Sequence, residues 1–272
     1  MIAVQQANLD LGEPVKHVVH YSGGLASWAC AKRVIEQQGK TDVVLLFADV
    51  NWEEPDTYRF LRETSEAFGV PITRICEGRT PVQLFVDQGF IANNRADLCS
   101  RILKRDLLDK WCKDNGPCVQ YLGYDWTEVD RFERTLKRKP YFKAPLIDPP
   151  YLSRCDMRKM CLTDGIEPPA MYADGFPHNN CGGACVKAGQ AQWAHVLKVA
   201  PARYAEMEAA EMLVSERRGK PCSVLKDRRG GETKPLLLRD FRARVEAGDF
   251  DKHEWGGCGC ATDYDDDKGD TQ

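Results

Sequence analysis

The amino-acid sequence predicts an α/β protein: a parallel sheet of about five strands with flanking helices, followed by a helical region that carries cysteines. In the first half of the chain, apolar runs typical of strands alternate with segments of helical spacing. This order produces a parallel sheet with crossover helices. The run 43–48 is apolar without interruption, as expected of a strand buried on both faces. After about residue 145 the sequence becomes mostly helical and rich in turns.

The individual elements follow from these runs. Strands are predicted at 16–21, 42–50, 72–76 and 118–124, and helices at 27–38, 55–68, 81–88 and 101–113. We divide the chain into a first domain over residues 1–145, a cysteine-rich helical region over 146–262, and an acidic tail over 263–272 that is expected to be disordered.

The composition argues against several classes of protein. The 272 residues carry a formal net charge of −3, which gives no general attraction to nucleic acid or to an anionic membrane. No apolar run is as long as a membrane span, and the first residues lack the pattern of a secretion signal. We therefore expect a soluble, cytoplasmic protein with no membrane partner.

A glycine-containing loop carries the first functional signal. Ser22, Gly23 and Gly24 follow the first predicted strand, and Ser27 begins the first predicted helix. In this arrangement backbone N–H groups and a helix N-terminus face an anion, while glycines allow its close approach. The loop lacks the Gly-Lys-Ser/Thr ending of a Walker loop and the third glycine of a dinucleotide fingerprint. It is a candidate phosphate or pyrophosphate cradle, with a plain strand-to-helix turn as the alternative.

Polar residues also follow the other predicted strands. Asp49 and Asn51 end the second strand, residues 77–79 follow the third, and Glu128 and Arg131 lie beyond the fourth. Ligands of parallel α/β sheets bind beyond the carboxyl ends of the strands. The sequence therefore predicts a composite site at this edge of the sheet.

The twelve cysteines fall into two groups. Structural disulfides are rare in the cytosol, so the expected roles are buried thiol, redox thiol and metal ligand. Several single cysteines have apolar neighbours and are expected in the core. The pairs Cys181/Cys185 and Cys258/Cys260 instead lie among glycines, which supply no core but can wrap a metal.

Several motifs, taken in order, resemble one family. Ser-Gly-Gly-x-x-Ser after the first strand resembles the pyrophosphate loop of the adenine nucleotide alpha-hydrolase (PP-loop) superfamily. Segments 123–131, 144–148 and 169–176 resemble elements of the phosphoadenylylsulfate and adenylylsulfate (PAPS/APS) reductases of that superfamily. The resemblance covers roughly residues 16–190. It implies the superfamily's fold, an adenine nucleotide as ligand, and chemistry on sulfur.

The same resemblance implies a cysteine-bound metal site. In the cluster-bearing reductases, two adjacent cysteines precede an Arg-Lys segment; here Cys99 holds the first position and Ser100 the second. Cys99, Cys181 and Cys185 are then expected to share one site. The implied group is a [4Fe–4S] cluster, with structural zinc as the alternative.

The tail cysteines leave two roles open. Cys260 is the expected fourth ligand, and Cys258 the expected catalytic thiol, because phosphoadenylylsulfate reductases carry a nucleophilic cysteine in their C-terminal tail. Either residue suits either role. A cluster with three cysteine ligands and one open iron is a further alternative.

At the nucleotide end, the resemblance implies ATP with Mg²⁺. An acceptor oxygen is adenylated, pyrophosphate leaves, and a sulfur nucleophile displaces AMP. Charge accumulates on the leaving pyrophosphate, so donors and cations are needed around it. Ser22, Gly23, Gly24 and Ser27 are expected to form the cradle, and Asp49 is the expected partner of Mg²⁺. Arg101 and Lys104 are expected to neutralise the phosphates. Glu128 and Arg131 are expected to have further catalytic roles.

The leading functional prediction is ATP-dependent adenylation coupled to sulfur transfer, with a nucleic-acid base as the acceptor. A sulfur donor protein or thiol reductant and a homodimeric partner are also expected. Ala26 stands where the superfamily often has an aspartate, which weakens the case for ATP. The alternatives are reduction of phosphoadenylylsulfate or adenylylsulfate, and a nucleotide-binding iron–sulfur module without turnover.

Overall fold

The computed structural model describes residues 15–92 and 98–257. Its first part alternates strands and helices as predicted: β1 Lys16–His20, α1 Leu25–Gln38, β2 Val43–Asp49, α2 Pro55–Phe68, β3 Ile72–Cys76, α3 Pro81–Gln88, α4 Leu98–Ser100, α5 Asp106–Asp114, β4 Cys118–Tyr121, α6 Val129–Leu136 and β5 Phe142–Lys143. A π-helical turn, Arg101–Arg105, joins α4 to α5.

The five strands form one parallel sheet in the order β3-β2-β1-β4-β5. This confirms the predicted fold class. The middle of β2 is fully buried, because helices cover both faces of the sheet. The predicted fourth strand is longer than the observed one, and β5, which has only two residues, was not predicted.

The second part of the chain consists mainly of helices, with one antiparallel hairpin that the sequence did not indicate. Its elements are α7 Arg154–Thr163, α8 Ala170–Ala173, α9 Gln190–Val199, α10 Pro201–Arg218, β6 Leu225–Asp227, β7 Lys234–Leu236 and α11 Leu238–Glu246. Within the described residues, no helix is both long and apolar enough to cross a membrane.

The two parts of the chain share their cores. Met157 and Cys161 of α7 pack in the cluster formed by α1 and the sheet. A second cluster joins Leu84 and Leu103 of the first part to Trp193 of α9 and other residues of the second part. The loops that connect these helices are thereby held close to the sheet. The domain boundary at residue 145 stays a prediction, and the tail 263–272 lies outside the described residues.

Candidate functional site

A cleft of about 400 Å³ opens beyond the carboxyl ends of β1 and β4. We call it the strand-end cleft. β1 and β4 are neighbours in the sheet, and the strand order reverses between them. Parallel α/β sheets bind ligands at such a switch point. Six predicted site residues line the cleft: Ser22, Gly24, Ser27, Lys104, Glu128 and Arg131.

The predicted cradle has the geometry of an anion-binding loop. Gly23 has a φ of +79°, which favours glycine, and Gly24 precedes the first turn of α1. Gly24 is the N-cap residue of α1 and has no side chain that could cap the helix. The positive end of the helix dipole is therefore directed at the cleft. Ser27 Oγ donates to the Gly24 carbonyl at 2.8 Å and accepts from Ser22 Oγ at 3.2 Å. The loop therefore presents hydroxyl groups beside helix-terminal amides.

The end of β4 packs directly against this loop. A Cβ atom on Gly123 would lie 2.9 Å from Ser27 N and from the carbonyl carbon of Ala26. Only glycine fits such a contact without a shift of backbone. The close approach fixes the distance between the two strand ends that form the cleft.

Two residues from the second part of the chain hold the loop in place, and the sequence analysis missed both. The Tyr172 hydroxyl accepts from Leu25 N at 3.1 Å. Asn179 donates from Nδ2 to the Gly23 carbonyl at 2.9 Å and accepts from the Thr57 hydroxyl at 3.2 Å. Tyr172 lies in segment 169–176, which resembles the reductases, but the sequence analysis gave it no role, and no motif marked Asn179.

Glu128 and Arg131 act as a pair. Arg131 donates to Glu128 Oε1 at 2.7 Å, and its guanidinium lies 5.0 Å from the centre of the Tyr124 ring. Glu128 also accepts from Asp125 N at 3.4 Å in a capping box at the start of the turn. These contacts point the Arg131 cation into the strand-end cleft, with Glu128 as its support.

His20 lies at the base of the cleft and was not predicted. It is buried, and its Nε2 is 2.8 Å from Gln120 Oε1. Burial lowers the pKa of His20 to about 4, because the charged imidazolium would lose its hydration. The ring is therefore neutral at physiological pH.

Two predicted ligand residues lie elsewhere. Asp49 is fully buried; its Oδ1 accepts from Asn51 N and the Tyr58 hydroxyl, and its Oδ2 from Arg74 Nε at 2.7 Å. Arg101 is exposed on the π-helical turn. Neither residue lines the strand-end cleft, so the structure does not bring these two side chains to the cradle.

A second, smaller cavity brings three predicted cysteines together. Its volume is about 10 Å³, room for about one water molecule, and we call it the cysteine cavity. Cys99 from α4 and both Cys181 and Cys185 from the loop before α9 line it, and all three are buried. Apolar residues such as Val50 and Trp52 form much of the remaining wall. In the described ranges, however, no group of three His, Cys, Asp or Glu side chains could hold a single metal ion.

Lys104 and Glu53 join the two cavities. Lys104 lines both of them, and its Nζ is 3.4 Å from Glu53 Oε1. The other oxygen of Glu53 accepts a hydrogen bond from Cys181 N. Cys181 has a φ of +47°, a strained conformation for a residue with a side chain, which this bond stabilises. Glu53 was not predicted, because nothing in its local sequence indicates either contact.

The described chain ends beside the cysteine cavity. Gly256 forms an antiparallel bridge with Ala188, and Gly257 N donates to the Lys187 carbonyl at 3.4 Å. A Cβ atom on Gly256 would lie 2.4 Å from that carbonyl oxygen, so the contact requires glycine. Cys258 and Cys260 lie outside the described residues.

The fold and cleft define an α/β protein with a candidate anion site at the switch point of a parallel sheet. The structure is similar to the crystal structure of phosphoadenylyl-sulfate (PAPS) reductase from Candida auris in its phosphate complex, with 13% sequence identity and a TM-score of 0.42. The similarity covers 60% of this chain and 79% of that one. No protein-family model and no curated protein matches the sequence.

Proposed function

We propose that this protein is an enzyme that binds an adenine nucleotide in the strand-end cleft, adenylates an acceptor with release of pyrophosphate, and couples this step to sulfur transfer. One observation carries the proposal: Lys104 lines both the cleft that holds the cradle and the cavity that holds three thiols. A nucleotide phosphate and a sulfur centre would thus meet at one shared wall.

The residues of the cleft suit the first step. The acceptor oxygen attacks the α-phosphorus, the bond to the β-phosphate oxygen breaks, and pyrophosphate leaves. The amides at the start of α1 and the hydroxyls of Ser22 and Ser27 would hold the leaving group. Lys104 and Arg131 would offset the negative charge that develops on it in the transition state. A sulfur nucleophile then displaces AMP from the adenylated acceptor.

We also propose a resident iron–sulfur cluster at the cysteine cavity, which would have to widen to admit it, since its volume is about 10 Å³ and the described side chains form no group that holds a metal ion. Three thiols line it, and the hydroxyl of Ser100 in its wall is buried and has no hydrogen-bond partner among the described residues. Cys99, Cys181 and Cys185 would hold a [4Fe–4S] group, which would supply a site for sulfur or electrons. Structural zinc, the alternative, would need a ligand group that the described residues do not form. Gly257 brings the chain to Lys187, two residues after Cys185, which favours a role for Cys258 or Cys260 at this cavity.

A nucleic-acid base is the proposed acceptor. Trp126 and Tyr151 are about half exposed, and their ring centres are 6.1 Å apart. Trp126 precedes Thr127, which lines the strand-end cleft together with Arg154. Exposed aromatic rings beside arginines can stack a base and contact its phosphate.

Reduction of a sulfonucleotide is the second candidate, and the position of Asp49 favours it. This carboxylate accepts three hydrogen bonds away from the cleft. Ala26 supplies no carboxylate in the loop either. A sulfonucleotide has no pyrophosphate to expel and needs no Mg²⁺ partner at this place. In that reaction a thiolate attacks the sulfur atom, and AMP or its 3′-phosphate leaves.

The deciding experiment measures products from the anaerobically purified protein. We expect pyrophosphate from ATP, at a rate that rises when nucleic acid and a sulfur donor are added. Formation of AMP or its 3′-phosphate from a sulfonucleotide alone would replace the proposal by the second candidate. Nucleotide binding without any product would indicate a module without turnover.

A pair of glycine variants links the activity to the cradle. A Cβ atom on Gly24 would lie 3.2 Å from the Tyr172 hydroxyl, so Gly24→Val fills the loop and should abolish nucleotide binding by calorimetry. A Cβ atom on Gly257 meets nothing within 4 Å, and its backbone is not in the left-handed region. Gly257→Val is therefore the control that should keep the affinity. If both variants bind the nucleotide with equal affinity, its phosphates do not bind in the cradle.

A further inference from the structure

We propose that His20 recognises the nucleoside part of the nucleotide: its Nδ1 accepts a hydrogen bond from a donor group of the nucleoside, either a ribose hydroxyl or the amino group of the base. The inference rests on the proposed function, because it requires a nucleotide in the strand-end cleft. It adds a residue that recognises the nucleoside to those that hold the phosphates.

The position of His20 is the first argument. It is the last residue of β1 and lines the base of the strand-end cleft. Ser22 of the cradle follows two residues later, which is about 7 Å of extended chain. In a nucleotide the ribose is attached to the phosphates, and the base is attached to the ribose. A nucleotide whose phosphates lie on the cradle can therefore bring its nucleoside to His20.

The state of Nδ1 is the second argument. Only 6% of the surface of His20 is exposed, and its Nδ1 has no hydrogen-bond partner among the described residues. Buried polar atoms in folded proteins almost always have a partner, since leaving one unpaired costs free energy. Four buried side-chain atoms lack a partner in the described part of the chain, and this one alone belongs to a residue that lines the strand-end cleft. A ligand in the cleft would supply the partner.

Gln120 determines which ring nitrogen carries the proton. Its Oε1 is 2.8 Å from His20 Nε2, and a carbonyl oxygen can only accept, so Nε2 holds the hydrogen. The amide nitrogen of Gln120 serves Cys118 instead: hydrogen bonds from Cys112 and from Gln120 lower the pKa of the Cys118 thiol. Nδ1 is then a bare acceptor. Because burial lowers the pKa of His20 to about 4, it remains an acceptor at physiological pH.

A neutral acceptor favours ligands that carry a donor at this place. Nδ1 can accept from an O–H or N–H group, but it forms no hydrogen bond with a carbonyl oxygen or a C–H group. A ligand without the donor would leave Nδ1 buried and unpaired, which costs more than the bond itself contributes. The site should therefore discriminate against nucleotides that lack the donor.

Two variants of the full chain separate this role from a purely structural one. His20→Asn keeps an acceptor near the position of Nδ1 but loses the contact with Gln120. His20→Gln can reach Gln120 but has no acceptor at the position of Nδ1. By calorimetry with ATP, we expect His20→Gln to lose about tenfold in affinity and His20→Asn to stay near the wild type.

Analogues of ATP identify the donor. The 2′-deoxy and 3′-deoxy analogues each lack one hydroxyl, and inosine triphosphate carries a carbonyl oxygen in place of the amino group. One of the three analogues should bind the wild type about tenfold more weakly than ATP. His20→Gln should bind that analogue and ATP with equal affinity, because it no longer recognises the donor.

Several results would overturn the assignment. Equal affinity of the wild type for ATP and all three analogues would exclude recognition of a donor, even if a variant fails to fold. Discrimination that persists in His20→Gln would assign the donor to another residue. A loss in His20→Asn alone would leave the ring only its structural contact with Gln120. A wild type that binds no ATP removes the nucleotide itself, which overturns the proposed function as well and is thus distinguishable from a failure at His20.

Discussion

The strand-end cleft and the cysteine cavity meet at Lys104 but are built in opposite ways. The cleft has a volume of about 400 Å³ and is formed by strand ends, a helix N-terminus and polar side chains. The cavity has about 10 Å³, room for about one water molecule, and is bounded by buried thiols and apolar side chains. The cleft therefore has the volume of a small-molecule site, whereas the thiols of the cavity lie in a packed wall.

The largest expected effect concerns how the two parts of the molecule respond to pH. Burial raises the pKa of Glu211 in α10 to about 8, although the amides of Val224 and Leu238 donate to it. The unfolded chain releases this proton near pH 4.5, but the fold keeps it. The free energy of unfolding should therefore fall as pH rises from 4.5 to 8, by about 4 kcal/mol at pH 8. Urea unfolding of the wild type and Glu211→Gln over this range measures the difference.

His20, at the base of the cleft, gives the opposite slope. The fold keeps this ring neutral down to about pH 4, while the unfolded chain takes up a proton near pH 6.5. The free energy of unfolding should fall as pH drops from 6.5 to 4, by about 3 kcal/mol at pH 4. His20→Asn should lose this acid dependence and keep the alkaline one. Parallel pH profiles for both variants would contradict the comparison.

An effect of similar size is expected where the two cavities join. Glu53→Gln removes the carboxylate that pairs with Lys104 and accepts from Cys181 N, and it deprives the buried ammonium group of this counter-charge. We expect a loss of about 3 kcal/mol in the free energy of unfolding, measured in urea. The double variant with Lys104→Met should lose less than the sum of the single variants.

Glu54→Gln is the matched control for that experiment. Its carboxylate accepts from Asp56 N at the start of α2, away from Lys104. Loss of this cap should cost about 1 kcal/mol or less. If Glu53→Gln costs no more than Glu54→Gln, or if its effect adds fully to that of Lys104→Met, the two cavities are not coupled through this pair.

The smallest expected effect tests the rim of the cleft. Trp126→Ala removes one of the two exposed aromatic rings, and stacking of a base on a ring contributes about 1–3 kcal/mol. Affinity for a labelled single-stranded oligonucleotide should fall about tenfold by fluorescence anisotropy. Leu162→Ala, which shortens another exposed apolar side chain, should have no effect. Equal affinities for all three proteins would argue against a nucleic-acid acceptor at this rim.

Local patterns made the sheet and the loop predictable. The apolar strands, the glycines before α1 and the glycine-flanked Cys181/Cys185 pair can each be read within a few residues, and the structure places both cysteines beside Cys99 in one cavity. β5 escaped prediction because two residues form no pattern. The expected fold rested on the order of the motifs along the chain rather than on any single motif.

Contacts between distant residues were not predictable. Asn179 donates a hydrogen bond to the carbonyl of Gly23, 156 positions earlier, and Glu53 accepts one from the amide of Cys181, 128 positions later. Asp49 was expected at the cleft because it ends a strand, but Tyr58 and Arg74 engage its carboxylate elsewhere. A side chain's partners depend on packing that a single sequence does not record, and this limits the prediction of a site more than that of a fold.

The backbone contact at Gly123 also has a kinetic consequence. The cradle is held from three sides, by Gly123, by the Tyr172 hydroxyl and by Asn179, before any ligand arrives. Binding of an anion then requires no folding of the loop, and little conformational entropy is lost in the encounter. The association rate should be set by diffusion and by the electrostatic attraction of Lys104 and Arg131, and the lifetime of the complex should set the affinity.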